Sequence, residues 1–177
     1  MHKRNRSAKS SLMLNDDQIR LCGPIESDSI VNGDGLRAVI WCQGCMRHCP
    51  GCQNPESWDE CGGIIVDIEI VKEKLKKLKG QTGLTFCGGE PMLQPKACKI
   101  IADWAKSELG WSIWSFSGFT YEQIKDEGGD KWEFLKCLDV LIDGPFIIAE
   151  RDISLKFRGS RNQKLLRLKD GEIVGVE

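Results

Sequence analysis

Four of the nine cysteines crowd into one stretch, Trp41-Cys-Gln-Gly-Cys-Met-Arg-His-Cys-Pro-Gly-Cys-Gln-Asn-Pro-Glu-Ser-Trp58, at positions Cys42, Cys45, Cys49 and Cys52. Thiolates two or three residues apart converge on one metal centre when an irregular loop turns their sulfurs toward the same point. A disulfide framework, a zinc site and an iron–sulfur cluster are the three chemistries open to such a loop. Structural zinc usually takes paired C-x-x-C units separated by a longer span. Here Cys45-x-x-x-Cys49-x-x-Cys52 is a three-cysteine run, and Cys42/Cys45 lies only three residues from Cys49/Cys52. One short loop would have to wrap a whole zinc sphere, so the spacing favours iron and sulfide over zinc and over disulfides, without excluding either.

The elements that must hold this loop follow from hydrophobic patterning. Leu36 to Trp41 reads as a buried strand that feeds the chain into the cysteines, after a possible first strand over 17–23 and a turn at Asn32-Gly-Asp-Gly35. Residues 67–79 predict an amphipathic helix, capped by Asp67, stopped by Gly80 and buried through Ile70, Val71, Leu75 and Leu78. A strand at 83–86, a helix at 95–109, a strand at 111–116, helical segments over 120–138 broken at Gly128-Gly129, and a strand at 140–142 come next. Residues 163–176 read as a β-hairpin turning at Asp170-Gly171, a dipeptide suited to a type I′ turn. Alternating strands and helices predict an α/β fold with a parallel sheet.

Unusual residues sit just beyond the predicted strand ends: Cys42 to Cys52, Cys87-Gly-Gly-Glu-Pro91, Ser117-Gly-Phe119 and Asp143-Gly-Pro145. In a parallel sheet those ends share one edge, the edge where α/β folds bind ligands. Gly88 and Gly89 would let backbone approach a ligand closely, and Glu90 is a natural partner for an ammonium group. A strand-to-helix turn with an acidic first residue would look the same, so Gly-Gly-Glu gains meaning only from following the cysteine loop.

Cys45-x-x-x-Cys49-x-x-Cys52 resembles the signature of the radical S-adenosylmethionine (SAM) superfamily, and Gly88-Gly89-Glu90 is similar to the superfamily's Gly-Gly-Glu segment. The resemblance implies a partial (βα) barrel and a 4Fe-4S cluster held on three irons by Cys45, Cys49 and Cys52. The fourth iron would be left to the amino and carboxylate groups of SAM. Gly51, Cys52, Gln53, Gly88, Gly89 and Glu90 would line the SAM site. Ile30 to Arg37, Cys49 to Trp58, Ser117 to Tyr121, Val140 to Phe146 and Phe157 to Gln163 further resemble the activating proteins of anaerobic ribonucleoside-triphosphate reductase.

That family resemblance implies an oxidoreductase that splits SAM into methionine and a 5′-deoxyadenosyl radical. The radical would take a hydrogen from a backbone glycine of a large partner reductase, a glycyl radical enzyme, with a donor such as flavodoxin or ferredoxin supplying the electron. It also suggests places near SAM or the partner glycine for Asp143, Arg158 and Asn162. The sequence departs from the pattern in three places. Gly51 and Gln53 flank the last cysteine where many members carry an aromatic, Cys87 stands where Ser or Thr is common, and Cys42 is extra. Were Cys42 a fourth ligand, the cluster would be closed and the protein an electron carrier. The same cysteines would also suit a zinc-stabilised interaction module, or the activase of another glycyl radical enzyme such as a formate lyase.

The 177 residues carry 25 basic and 26 acidic side chains, a net charge of −1. That balance argues against a nucleic-acid surface, which needs concentrated positive charge. No apolar run is long enough to span a bilayer. Residues 1–14 read as a disordered basic tail and 15–177 as a single domain. An odd cysteine count without a secretory signal points to a reducing, cytoplasmic setting, where Cys22, Cys61, Cys98 and Cys137 would be small buried apolar groups.

Overall fold

The computed structural model describes residues 14–177, so the tail expected over residues 1–14 lies outside the described residues except for Leu14. Thirteen elements follow in chain order: β1 (Gln18–Leu21), β2 (Glu26–Ser29), β3 (Arg37–Cys42), β4 (Ile64–Asp67), α1 (Ile68–Lys77), β5 (Gly83–Gly88), α2 (Pro95–Leu109), β6 (Ser112–Phe116), α3 (Tyr121–Glu127), α4 (Gly129–Leu135), β7 (Val140–Asp143), β8 (Lys164–Lys169) and β9 (Glu172–Val176). The strands form one mixed sheet in the order β4-β1-β3-β5-β6-β7-β8-β9, with β2 also paired to β3.

Only β3, β5, β6 and β7 run parallel. The expectation of a parallel sheet therefore holds for its centre, while both flanks are antiparallel. β1 and β2 precede every helix and lack the crossover that parallel pairing with β3 needs. Strands β2 and β4 have no counterpart in the sequence pattern. The polar Glu-Ser-Asp-Ser of β2 has poor strand propensity and is held by its pairing with β3. β4 is an edge strand whose Ile64 and Ile65 stay exposed.

Side chains of the central strands alternate between two faces. Ala38, Ile40, Cys42, Leu84, Phe86, Ile113 and Leu141 join Val71, Leu75, Cys98, Ile101, Ala105, Ile124 and Phe134 of the helices in the main core. Trp114, Val140 and Ile142 form a smaller cluster on the other face with Leu165, Phe116 and Phe157. Arg37 is wholly buried near the start of β3. Its guanidinium donates to Thr85 Oγ1 (2.7 Å), the carbonyls of Asp34, Leu84 and Ser112, and Ser112 Oγ. Its carbon Cζ lies 5.1 Å from the centre of the Trp114 ring. Burial pulls its pKa down to about 10.

Helix α1 differs in detail from expectation. Its buried stripe is Ile68, Val71 and Leu75, with Ile70 exposed. Asp67 precedes the helix, but its carboxylate accepts from Gln18 Nε2 instead of a helix N–H. The helix ends before extended Leu78, so Gly80 turns the chain later and does not stop it. Helix α2 matches its expected span and closes on Gly110 in the left-handed region. Asp170 and Gly171 both adopt positive φ between β8 and β9, the two-residue turn anticipated. Cys98 and Cys137 are buried, whereas Cys22 is half-buried and Cys61 exposed. Cys61 lies in a surface turn whose carbonyl accepts from Arg20, so it cannot enter the core. No helix among the described residues is long and apolar enough to cross a membrane.

Candidate metal and cofactor site

The loops after β3, β5, β6 and β7 enclose a cavity of about 700 Å³ at the shared ends of the parallel strands. Cys45, Cys49, Cys52, Gln53, Gly88, Gly89 and Glu90 all line it, so the two motifs meet there. Gly51 does not line it. A Cβ added at Gly51 would press on Ile148 Cδ1 (2.8 Å) and Phe146 Cε1 (3.4 Å), and Phe146 is itself part of the wall.

The cysteine loop achieves its curl by a repeated device. Gly44, His48 and Gly51 have positive φ (98°, 45° and 76°), and each immediately precedes one of the three cysteines. Two are glycines, which adopt that conformation freely. His48 adopts it as a non-glycine residue and stacks on Trp58 with ring centres 4.8 Å apart. The chain thus reverses before each thiol. None of the three is in a disulfide. Asn54 N–H donates to Cys52 Sγ at 3.4 Å. Burial raises the Cys45 pKa while the N–H groups of Arg47 and His48 favour its thiolate.

Cys42 lies on the other face. Its sulfur is 4.0 Å from that of Cys98 on α2, within the main core, so it is not among the cavity thiols. The fourth cysteine of the cavity is Cys87, whose thiol burial pushes up to about 12. Among the described residues, no three His, Cys, Asp or Glu side chains converge on a point able to hold a single metal ion. A cluster does not require that, since each of its irons takes a different thiolate. Three free thiols on one cavity wall, with backbone donors turned on two of the sulfurs, fit a cluster.

Glu90 is 2% exposed. Its Oε1 accepts from Met92 N (3.0 Å) and Ser117 Oγ (2.9 Å), and its Oε2 from Gly118 N (2.7 Å). A carboxylate has about four lone-pair sites, so one remains for a ligand. Burial nonetheless raises its pKa. Gly88 and Gly89 are required by contact, since an added Cβ would lie 2.7 Å from Cys42 O at Gly88 and 2.9 Å from the Gly44 carbonyl carbon at Gly89, and Gly89 N donates to Cys42 O (2.7 Å) and Glu90 N to Gly44 O (2.8 Å). These bonds fasten the Gly-Gly-Glu turn to the entrance of the cysteine loop.

Of the less specific expectations, Arg158 lines the cavity and Asp143 and Asn162 do not. Asp143 accepts from Tyr121 N and Lys164 N, and Asn162 donates to Pro145 O, so both brace loops. Sequence reasoning missed Asn32, Arg47, Trp58 and Phe157 in the wall. Arg47 carried a signal, its place between two motif cysteines. Arg47 Nε, Trp58 Nε1 and Arg158 Nε are buried donors without partners, each costing about 1–3 kcal/mol unless a ligand accepts from it. All three belong to residues of the cavity wall.

These features fit an iron–sulfur protein, and the comparison with known proteins supplies that class: the family described as 4Fe-4S single cluster domain matches residues 31–166. The anaerobic ribonucleoside-triphosphate reductase-activating protein of Pasteurella multocida is 34% identical over 146 residues, covering 78% of this chain and 91% of its own. That of enterobacteria phage T4 is 33% identical over 165 residues, 89% of this chain and 97% of its own. The Escherichia coli K12 protein of the same name is 27% identical over 147 residues, 79% of this chain and 94% of its own. The chain belongs to the family of anaerobic ribonucleoside-triphosphate reductase-activating proteins.

Proposed function

We propose that this chain is a radical SAM activase that generates a glycyl radical on a partner anaerobic ribonucleoside-triphosphate reductase. The observation that carries this reading is the meeting of Cys45, Cys49 and Cys52 with Gly88, Gly89 and Glu90 on one cavity wall. Cys45, Cys49 and Cys52 would hold the 4Fe-4S cluster, and the placement of Cys42 in the core supports an iron left without a protein ligand. Bound there, cluster and SAM would together supply one-electron cleavage of the cofactor's carbon–sulfur bond and, from it, hydrogen removal from the partner's glycine.

The chain's own residues supply position. Glu90 offers its remaining lone pair to the cofactor's amino group, while its bonds to Ser117 and Gly118 fix that oxygen against the loop after β6. Gly88 and Gly89 let backbone stand beside the cofactor, and Trp41, Phe116, Phe146 and Phe157 give the wall an apolar stretch. Apolar surface of this kind limits quenching of a reactive species by solvent where the species lies against it. The central parallel strands would form the partial (βα) barrel of the superfamily, in one cytoplasmic domain reduced by a flavodoxin or ferredoxin.

The test is anaerobic reconstitution with iron and sulfide, then reduction with SAM present. Formation of 5′-deoxyadenosine, and a glycyl radical signal only when the reductase is added, are the expected results. Deoxyadenosine with no radical on the reductase would keep the superfamily chemistry and remove this partner. A protein without acid-labile sulfide would end the proposal.

A further inference from the structure

Arg47 lies between two cysteines of the motif and reaches across to the loop after β6. Its Cζ sits 4.4 Å from the centre of the Phe119 ring, and one terminal nitrogen donates to Gln123 Oε1 at 3.2 Å. The Nε is buried, unpartnered and on a residue of the cavity wall. A Cβ built on Gly118 would lie 2.7 Å from that Nε and 3.3 Å from Glu90 Oε2. The unpartnered Nε of a cation and a partly free carboxylate therefore stand side by side over the Gly118 backbone, which has no side chain to separate them.

An α-amino acid carries an ammonium and a carboxylate on one carbon, so it needs an acceptor and a donor at neighbouring points. We propose that Arg47 is a specificity residue that reads the α-carboxylate of the cofactor while Glu90 takes the amino group on the same carbon. This rests on the reading of the cavity as a SAM site and adds a residue to it. The Phe119 ring and Gln123 hold the guanidinium in place before the ligand arrives, so the Nε direction is set by the fold. A nucleoside sulfonium without the amino-acid carboxylate would leave that donor unsatisfied, which makes the cavity selective for the complete amino-acid end.

The experiment is anaerobic calorimetric binding of SAM and of decarboxylated SAM to the iron-reconstituted full chain, with iron and sulfide content measured for every variant. The wild type is expected to prefer SAM. Arg47→Ala should lose about 10- to 100-fold in SAM affinity and leave decarboxylated SAM nearly unchanged. Arg47→Lys, which keeps the charge and lacks the Nε fork, should fall between, and it carries the comparison should Arg47→Ala fail to take up iron. Equal loss for both ligands would make Arg47 a loop brace, and no loss for either would remove it from the site. In both cases the SAM reading stands. A wild type that binds neither ligand overturns the SAM reading itself, and the role of Arg47 with it.

Discussion

The sulfurs of Cys42 and Cys98 face each other at 4.0 Å between β3 and α2, on the side of the sheet away from the cavity. One residue pitch along β3 separates this buried pair from the loop that carries the three cavity thiols. Cys42→Ala should therefore leave iron and sulfide content unchanged after reconstitution, at a cost of about 1 kcal/mol in folding stability for the lost packing. Cys45→Ala should abolish both iron and sulfide. Equal loss of iron in the two variants would mean that Cys42 closes the cluster.

Glu90 gives a pH dependence whose sign follows from its burial. Desolvation raises the carboxyl above its ordinary range, against the opposing pull of the Met92 and Gly118 N–H groups, the Ser117 hydroxyl and Arg47. Between the unfolded and the raised folded pKa the folded chain binds more protons, so stability falls as pH rises through that window, from about pH 4 upward. Urea denaturation of the metal-free chain should show this fall, and Glu90→Gln should remove it. A wild-type stability that climbs with pH relative to the variant would mean that the hydrogen bonds outweigh burial.

The gathering of Cys45, Cys49 and Cys52 on one cavity wall was legible because their spacing is local. So was the hairpin turn, which depends on two adjacent residues, Asp170 and Gly171. The side on which Cys42 lies was also within reach: the period of two along Leu36 to Trp41 sets it with Ala38 and Ile40, on the core face. Other features were not, because they depend on distant partners. β2 is strand only through β3, Arg37 is satisfied by Thr85 and Ser112, and Arg47 finds Phe119 and Gln123 only after α3 has packed.

Arg37 offers a stability test apart from the chemistry. Gly83 lacks the Cβ that would collide with its guanidinium, and its donors reach Thr85, Ser112 and the carbonyls of Asp34 and Leu84. Lysine has three donors on a single nitrogen and cannot serve acceptors spread over two strands and a loop. Arg37→Lys should cost about 3 kcal/mol in urea-induced unfolding, chiefly through buried acceptors left unpaired. A loss below about 0.5 kcal/mol, the level of an ordinary surface change, would show that those bonds are dispensable.

The joint between the two motifs can be tested at Gly89. A Cβ there would strike the Gly44 carbonyl oxygen and come within 2.9 Å of its carbon and 3.1 Å of Cys42 O. All of these are backbone atoms, held by the Gly89 N to Cys42 O and Glu90 N to Gly44 O bonds, so none can swing aside. Gly89→Ala should then push the turn away from the cysteine loop, lowering stability by about 2 kcal/mol and reducing iron retained per chain. Gly110→Ala is the control, since that glycine has positive φ but nothing within 4 Å of an added Cβ. It should cost about 1 kcal/mol of backbone strain and leave iron uptake intact. If the two variants keep iron equally well, the Gly88–Glu90 turn does not support the cluster loop, and the two motifs only share a cavity.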